Sequence, residues 1–189
     1  MIDIKNIIES SPELMELLKI IRSFKLPDAW LCAGCLRNYL WDYFSHADLN
    51  KSIYFSDIDV IFYDKNISYQ ETFNIEKTIK ERYPYYNWEV RNQYDMHKHS
   101  PHSKRYTSSK DAVSKFPEKC TAIAARLDEN GQVECYAPYG YEDIIHFKVS
   151  PTPHFLADSD RLRIYQERVT KKNWQKTWPQ LSIEGIEQN

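Results

Sequence analysis

The sequence predicts a mixed α/β (α+β) domain in which helices flank a central β-sheet. Short apolar runs that are typical of buried strands alternate along the chain with segments of helical periodicity. The chain has 189 residues, 42% of them hydrophobic, which is enough for one domain with a single hydrophobic core. We therefore expect one domain over residues 1–189 that ends in a helical tail at about 155–180.

The first half of the chain predicts strands that are separated by helices. The run 11–13, Ser-Pro-Glu, has the residue types of a helix start, and an amphipathic pattern follows as far as Pro27. Gly34 lies where an apolar run ends and a new helical pattern begins. The expected strands lie at 29–32, at 57–63 and from Trp88 onward, with a further helix at about 70–82.

The second half predicts a hairpin and two more helices. Residues 93–107 are polar and rich in histidine, which is typical of a loop, and a short helix is expected at 109–116. Asn130-Gly131 separates two runs with strand character and therefore indicates a hairpin turn. A polar helix is expected from Asp158 to about Trp174.

Composition and charge narrow the classes of function. The formal net charge is -2, so the basic excess of a protein that clamps a long nucleic acid is missing, and such a partner is disfavoured. There is no apolar stretch of the length that spans a bilayer, and the N-terminus lacks the pattern of a signal peptide. We therefore expect a cytoplasmic protein without a membrane partner, and its four cysteines to be reduced thiols.

Asp57 and Asp59 form the first candidate functional pair. Side chains alternate between the two faces of a strand, so both carboxylates point the same way while Ile58 and Val60 face a core. Two carboxylates on one face repel each other unless a cation lies between them. Oxygen ligands of this kind suit Mg²⁺, which binds through one or two carboxylates together with substrate phosphates. A solvated edge strand is the alternative interpretation of this short motif.

The turn at Gly34 is the second candidate feature. Backbone N–H groups at the start of a helix form an anion site, and a glycine there lets a phosphate approach closely. We expect the backbone at Gly34 and Cys35 to bind phosphate, with the Arg37 guanidinium as a clamp on phosphate oxygens. An ordinary tight turn with an exposed Arg37 is the alternative.

Together these segments resemble the DNA polymerase β superfamily of nucleotidyltransferases. The resemblance rests on the run from Ala33 to Asn38 and on the run from Ser56 to Val60. The first run is similar to the turn in bacterial tRNA-terminal nucleotidyltransferases and poly(A) polymerases. One departure is Cys35, because the superfamily often has serine after the glycine. The loss of that hydroxyl leaves only the backbone donor at this position.

A larger part of the chain resembles a bacterial family of small nucleotidyltransferase-like proteins of unknown substrate. The matching runs include 30–34, 56–62, 88–93 and 137–140. The resemblance implies a polymerase β-type fold and an enzyme that transfers a nucleoside monophosphate from a nucleoside triphosphate to an unknown hydroxyl acceptor, with Mg²⁺ or Mn²⁺ as cofactor. The alternative is an inactive nucleotide-binding or regulatory module of the same fold.

The superfamily usually supplies a third acid from a later strand, and Glu89 is the best candidate. It lies between Trp88 and Val90, so it faces away from their apolar side and can face the aspartates. As a metal ligand or general base it would complete the catalytic set Asp57, Asp59 and Glu89. Glu134, on the expected hairpin, is a weaker competitor.

Cysteine and histidine residues suggest a third, minor interpretation. Cys32 and Cys35 form a Cys-x-x-Cys motif, which can be redox-active or bind metal. His97, His99 and His102 share one polar loop and have the ligand type that suits zinc. A metalloprotein would use these residues. The alternative places Cys32 in a buried strand, Cys35 at the phosphate turn and the histidines in a solvated loop, from which His97 alone could line the nucleotide pocket.

Overall fold

The computed structural model describes residues 2–47 and 57–185. The helices are α1 (Ile4–Glu9), α2 (Pro12–Ser23), α3 (Gly34–Phe44), α4 (Tyr69–Arg82), α5 (Ser109–Val113), α6 (Glu142–Ile145), α7 (Pro153–Leu156) and α8 (Ser159–Lys172). The strands are β1 (Trp30–Cys32), β2 (Asp57–Phe62), β3 (Asn87–Asn92), β4 (Ala124–Leu127), β5 (Val133–Tyr136), β6 (Lys148–Val149) and β7 (Ser182–Ile183). Two 3₁₀ turns lie at Met96–His99 and Trp174–Lys176.

A five-stranded mixed sheet with the order β3-β2-β1-β4-β5 forms the centre of the structure. The β2–β3 pair is parallel, and the other pairs of this sheet are antiparallel. The strands β6 and β7 form a separate two-stranded parallel sheet. The predicted fold class, a mixed sheet flanked by helices, is confirmed.

The two faces of the main sheet are covered to different extents. Alternate residues Leu31, Ile58 and Val60 face the larger core, which α2 and α3 complete. Trp30 and Ile61 face a smaller cluster on the other side. Asp57 and Asp59 alternate with the core residues of β2, so they project from the less covered face.

Local signals in the sequence account for most helix starts. The Ser11 hydroxyl caps α2 by accepting a hydrogen bond from the backbone of Leu14, and Ser68 with Glu71 forms a capping box at α4. The helix α1 and the short elements α6, α7, β6 and β7 were not expected. Each has six residues or fewer, which is too few to show a periodic pattern.

The C-terminal segment packs against α3. The ring centroids of Trp174 and Trp178 lie 5.9 and 5.0 Å from that of Trp41, and the Trp178 indole N–H donates to Asp42 Oδ1 at 2.8 Å. Residues from the expected helical tail therefore help to bury the helix that begins at Gly34.

The division of the chain into domains stays a prediction. Within residues 2–47 and 57–185, the structure contains no helix with the length and apolar character that a bilayer span requires.

Candidate active site

The turn between β1 and α3 has an unusual backbone. Ala33 has φ 57° and ψ -124°, whereas Gly34 is already the first helical residue. The Ala33 N–H donates to the carbonyl of Ile123 at 3.1 Å, which fixes the turn to the segment before β4. A non-glycine residue with positive φ is strained, and such strain is concentrated at functional sites. Gly34 itself does not have a left-handed φ, and the lack of a side chain leaves space above the helix start.

The register of the sheet brings the three predicted carboxylates onto adjacent strands. In the parallel β2–β3 pair, Asp59 lies opposite Glu89 and Asp57 lies opposite Asn87. On the other side of β2, Cys32 at the end of β1 lies opposite Asp59. Asp59 is therefore central, with the Gly34 turn on one side and Glu89 on the other.

Asp59 carries the strongest electrostatic signal of the site. Burial of its carboxylate, and then repulsion from Glu89 and from Asp57, raise its pKa to about 6. A hydrogen bond from the Gly34 backbone N–H and the charge of Arg37 oppose this rise without cancelling it. Burial and like-charge repulsion therefore outweigh the contacts that stabilise the charged form of Asp59.

The two outer carboxylates have polar neighbours on β3. The Asn87 side-chain amide donates to Asp57 Oδ1. Arg91 Nη2 lies 3.5 Å from Glu89 Oε2, and Arg91 Nη1 also pairs with Glu76. Each outer carboxylate thus meets one donor on β3 and stays partly open to solvent.

Arg37 lies behind the turn and is only 3% exposed. Its guanidinium carbon lies 4.3 Å from the ring centroid of Trp174 and 4.9 Å from that of Trp41, and Nη1 donates to Thr121 Oγ1 at 2.7 Å. Nη2 points toward the turn, 3.8 Å from where a Cβ on Gly34 would lie. Direct contact of Arg37 with phosphate stays a prediction. In this structure the guanidinium is buried next to the turn, against the two tryptophan rings and Thr121.

The cysteines have the properties of core residues. Cys32, Cys35 and Cys120 are buried free thiols, and Cys135 is partly buried and also free. Burial and the nearby Asp59 charge raise the pKa of the Cys32 and Cys35 thiols well above the usual range. Thiols in this state are poor nucleophiles and poor metal ligands. The Cys35 side chain faces the core, so only its backbone is available to a phosphate.

The histidine cluster of the sequence divides into separate environments. His102 Nδ1 lies 2.8 Å from Asp158 Oδ2, and these residues with Asp160 form the only set of three potential ligands, among the described residues, whose atoms all lie within 4.8 Å. His97 packs edge-on against Tyr106, and its buried Nδ1 has no hydrogen-bond partner within residues 2–47 and 57–185. The sequence did not identify Asp158 and Asp160 as potential metal ligands, because two acidic residues at this spacing are also typical of a helix start. Asp158 does cap α8.

The carboxylates of Asp57, Asp59 and Glu89 are hard oxygen donors on two neighbouring strands, and this chemistry fits Mg²⁺ or Mn²⁺. Their oxygen atoms are not all within 4.8 Å of one another in this structure. The competitor Glu134 lies on β5, at the opposite edge of the sheet, and pairs with Lys110 and Arg126 at 2.8 and 2.7 Å.

Comparison with known families decides the class of protein. Residues 19–183 match the sequence model of a family described as nucleotidyltransferase. The chain belongs to this nucleotidyltransferase family. The match spans the turn, the three carboxylates and the C-terminal tryptophans, so it covers every part of the candidate site.

A solved structure supports the same assignment of this nucleotidyltransferase. It is an NMR structure that reveals a CCA-adding enzyme head domain, 48% identical in sequence, with a TM-score of 0.89 over 97% of this chain and 95% of that chain. No curated protein matches the chain.

More distant structures are similar to this nucleotidyltransferase only in their fold. The Thermotoga maritima CCA-adding enzyme complexed with tRNA is 13% identical, with a TM-score of 0.53 over 98% of this chain and 43% of that one. A tRNA-processing enzyme in its apo form is 14% identical, with a TM-score of 0.51 over 82% and 40%. The chain thus spans less than half the length of these two proteins.

The raised pKa of Asp59 predicts an unusual pH dependence of stability in metal-free buffer. The folded protein binds the Asp59 proton more tightly than the unfolded chain, so this group's contribution to the free energy of unfolding falls as pH rises from about 4 to about 6. We expect Asp59→Asn to be more stable than the wild type at pH 7 by about 3 kcal/mol and the difference to vanish near pH 4. Urea unfolding across this range measures it.

The exposed carboxylate of Glu16 on α2 supplies the control, because Glu16→Gln leaves the buried charges in place. A stability loss for Asp59→Asn at pH 7 in the absence of metal would show that the carboxylate is a structural hydrogen-bonding group instead. Added Mg²⁺ should narrow the difference, because binding stabilises only the wild type.

Gly34→Ala should separate folding from nucleotide binding. An alanine Cβ would lie 3.7 Å from Asp59 Oδ2 and 3.8 Å from Arg37 Nη2, which are ordinary contacts, so stability should hold or rise by up to about 1 kcal/mol. The added methyl group occupies the space in which a phosphate would meet the helix start. Affinity for nucleoside triphosphate, measured by calorimetry, should fall about tenfold or more, since crowding costs about 1–3 kcal/mol. Unchanged affinity would contradict phosphate binding at this turn.

Proposed function

We propose that this nucleotidyltransferase is metal-dependent and transfers a nucleoside monophosphate from a nucleoside triphosphate to a hydroxyl acceptor, with release of pyrophosphate. The observation that carries the proposal is the group of three carboxylates around the buried Asp59, next to the start of α3. A magnesium or manganese ion with a triphosphate is the type of ligand that such a site accommodates.

Residues on β2, on β3 and at the start of α3 have separate proposed roles. Asp57 and Asp59 would hold the metal, with Glu89 either as a third ligand or as the general base. The metal, when bound, would lower the pKa of the acceptor hydroxyl and screen the triphosphate charge. The backbone at Gly34 and Cys35 would orient the triphosphate, because the first N–H groups of a helix lack intrahelical partners. The buried Arg37 adds positive charge near Asp59.

Glu89 would act on the acceptor side. It lies on the edge strand β3, farther from the Gly34 turn than the aspartates, and its side chain is partly open to solvent. A carboxylate there can accept the proton of the attacking hydroxyl while the triphosphate lies over β1 and β2. Intact acids at all three positions favour catalysis over an inactive binding module.

Charge and the related structures bear on the class of acceptor. The formal charge of -2 disfavours a long nucleic acid. Two of the structures that share the fold come from a tRNA-bound CCA-adding enzyme and a tRNA-processing enzyme, so an acceptor of that class belongs among the candidates to be assayed. The cytoplasmic location expected from the sequence also stays a prediction.

Glu89→Gln should separate binding from chemistry. Calorimetry should show that the wild type binds a nucleoside triphosphate only with Mg²⁺ or Mn²⁺ present, and that the variant retains this binding because both aspartates remain. Transfer of labelled nucleotide to acceptors in a cell extract should fall about 10²–10⁴-fold, the usual effect of losing a general base.

Glu134→Gln is the matched control, because the same substitution is made on the opposite edge strand. Transfer should be unchanged in that variant. Binding that is equally tight without metal in the wild type would contradict the proposed site, because the triphosphate would then face bare carboxylates.

A further inference from the structure

Glu118 carries a buried carboxylate that the proposed chemistry does not use. The residue lies in the segment between α5 and β4 and is fully buried. Its Oε1 accepts a hydrogen bond from Arg168 Nε on α8 at 2.7 Å. Its Oε2 is also buried and has no hydrogen-bond partner within residues 2–47 and 57–185. A buried ion pair adds little stability over apolar residues of the same size, so stability alone does not account for this pair.

The segment that begins at Glu118 contacts the turn between β1 and α3. The Glu118 carbonyl accepts a hydrogen bond from the Thr121 N–H at 3.1 Å, which folds the segment back on itself. The Thr121 hydroxyl accepts from Arg37 Nη1 at 2.7 Å. Farther along the same segment, the Ile123 carbonyl accepts from the Ala33 N–H at 3.1 Å. The position of the turn therefore depends on where Glu118 is fixed.

Glu118 and Arg168 also act on the charge of Arg37. The two guanidinium carbons lie near one ring, with that of Arg37 at 4.3 Å and that of Arg168 at 6.0 Å from the Trp174 centroid. Burial lowers the pKa of Arg37, the charge of Glu118 opposes this effect, and the charge of Arg168 adds to it. By pairing with Glu118, Arg168 keeps that carboxylate engaged, so the positive charge of Arg37 can act at the turn.

We propose that the Glu118–Arg168 ion pair fixes the turn between β1 and α3, and that both are positioning residues for triphosphate binding. The proposal rests on the proposed function, because it takes the backbone at Gly34 and Cys35 as the triphosphate site. The pair acts through the segment that Glu118 begins, without touching the triphosphate. Since Arg168 lies on α8, the proposal gives a helix near the C-terminus a role in nucleotide affinity.

A double variant removes the pair without leaving a buried charge. Arg168→Met alone would leave the Glu118 carboxylate buried and unpaired, which is strongly destabilising. Glu118→Gln combined with Arg168→Met removes both charges together. The backbone still holds the segment in this variant, because the Lys119 N–H donates to the Ser150 carbonyl at 2.9 Å. The double variant should therefore fold.

Two measurements on the full-length double variant report on the turn. The Ala33 amide hydrogen should exchange with solvent about tenfold faster or more, since the carbonyl that accepts its hydrogen bond is no longer fixed. Affinity for a non-hydrolysable ATP analogue with Mg²⁺ should fall about tenfold or more, as is usual when residues that orient a binding group are lost. Arg168→Lys should give a smaller loss, because its ammonium restores a cation beside Glu118.

Arg126→Met is the matched control. Arg126 also pairs with a glutamate at 2.7 Å, Glu134, and its guanidinium carbon also lies near a tryptophan ring, 4.2 Å from the Trp30 centroid. Its side chain is 32% exposed, against 34% for Arg168. This pair joins β4 to β5 and makes no contact with the turn, so exchange at Ala33 and affinity for the ATP analogue should be unchanged.

Two results would overturn the positioning role while leaving the proposed function intact. One is a folded double variant with wild-type affinity for the ATP analogue, and the other is a loss of affinity in Arg126→Met as large as in the double variant. Failure of the wild type itself to bind the ATP analogue with Mg²⁺ would instead contradict the proposed function. Exchange at Ala33 would then still show whether the ion pair fixes the turn.

Discussion

The burial of the Asp59 carboxylate between two like charges is the constraint on which the site depends. The β2–β3 register places Glu89 directly opposite Asp59, and Asp57 lies two residues earlier on the same strand face. The protein offsets this repulsion only in part, through the Gly34 N–H and the buried charge of Arg37. Under the proposed function, a divalent cation that arrives with a triphosphate would relieve the remainder.

Arg37 connects the turn at Gly34 with parts of the chain that are distant in sequence. Its guanidinium lies against Trp41 on the same helix and Trp174 near the C-terminus, and it donates to Thr121, which precedes β4. Burying a cation without partners is expensive, and here aromatic faces and a hydroxyl surround it. The C-terminal segment is thus part of the support of the site, in agreement with a family match that extends to residue 183.

Local patterns in the sequence sufficed for the elements that carry the site. Alternation along 57–63 and at Glu89 indicated which acids share a face, and the apolar run before Gly34 indicated a strand that leads into a helix. The burial of Arg37 could not be predicted, because it depends on Thr121, 84 residues away, and on Trp174. The positive φ of Ala33 could not be predicted either, because the Ala33 N–H donates to the carbonyl of Ile123, which is distant in sequence.

Crystals grown with Mn²⁺ and a non-hydrolysable ATP analogue test the central claim most directly, through the anomalous scattering of the metal. The account predicts a manganese peak bound by Asp57 and Asp59, with the triphosphate against the start of α3. Manganese found only at His102, Asp158 and Asp160, with the triphosphate away from the Gly34 turn, would contradict it.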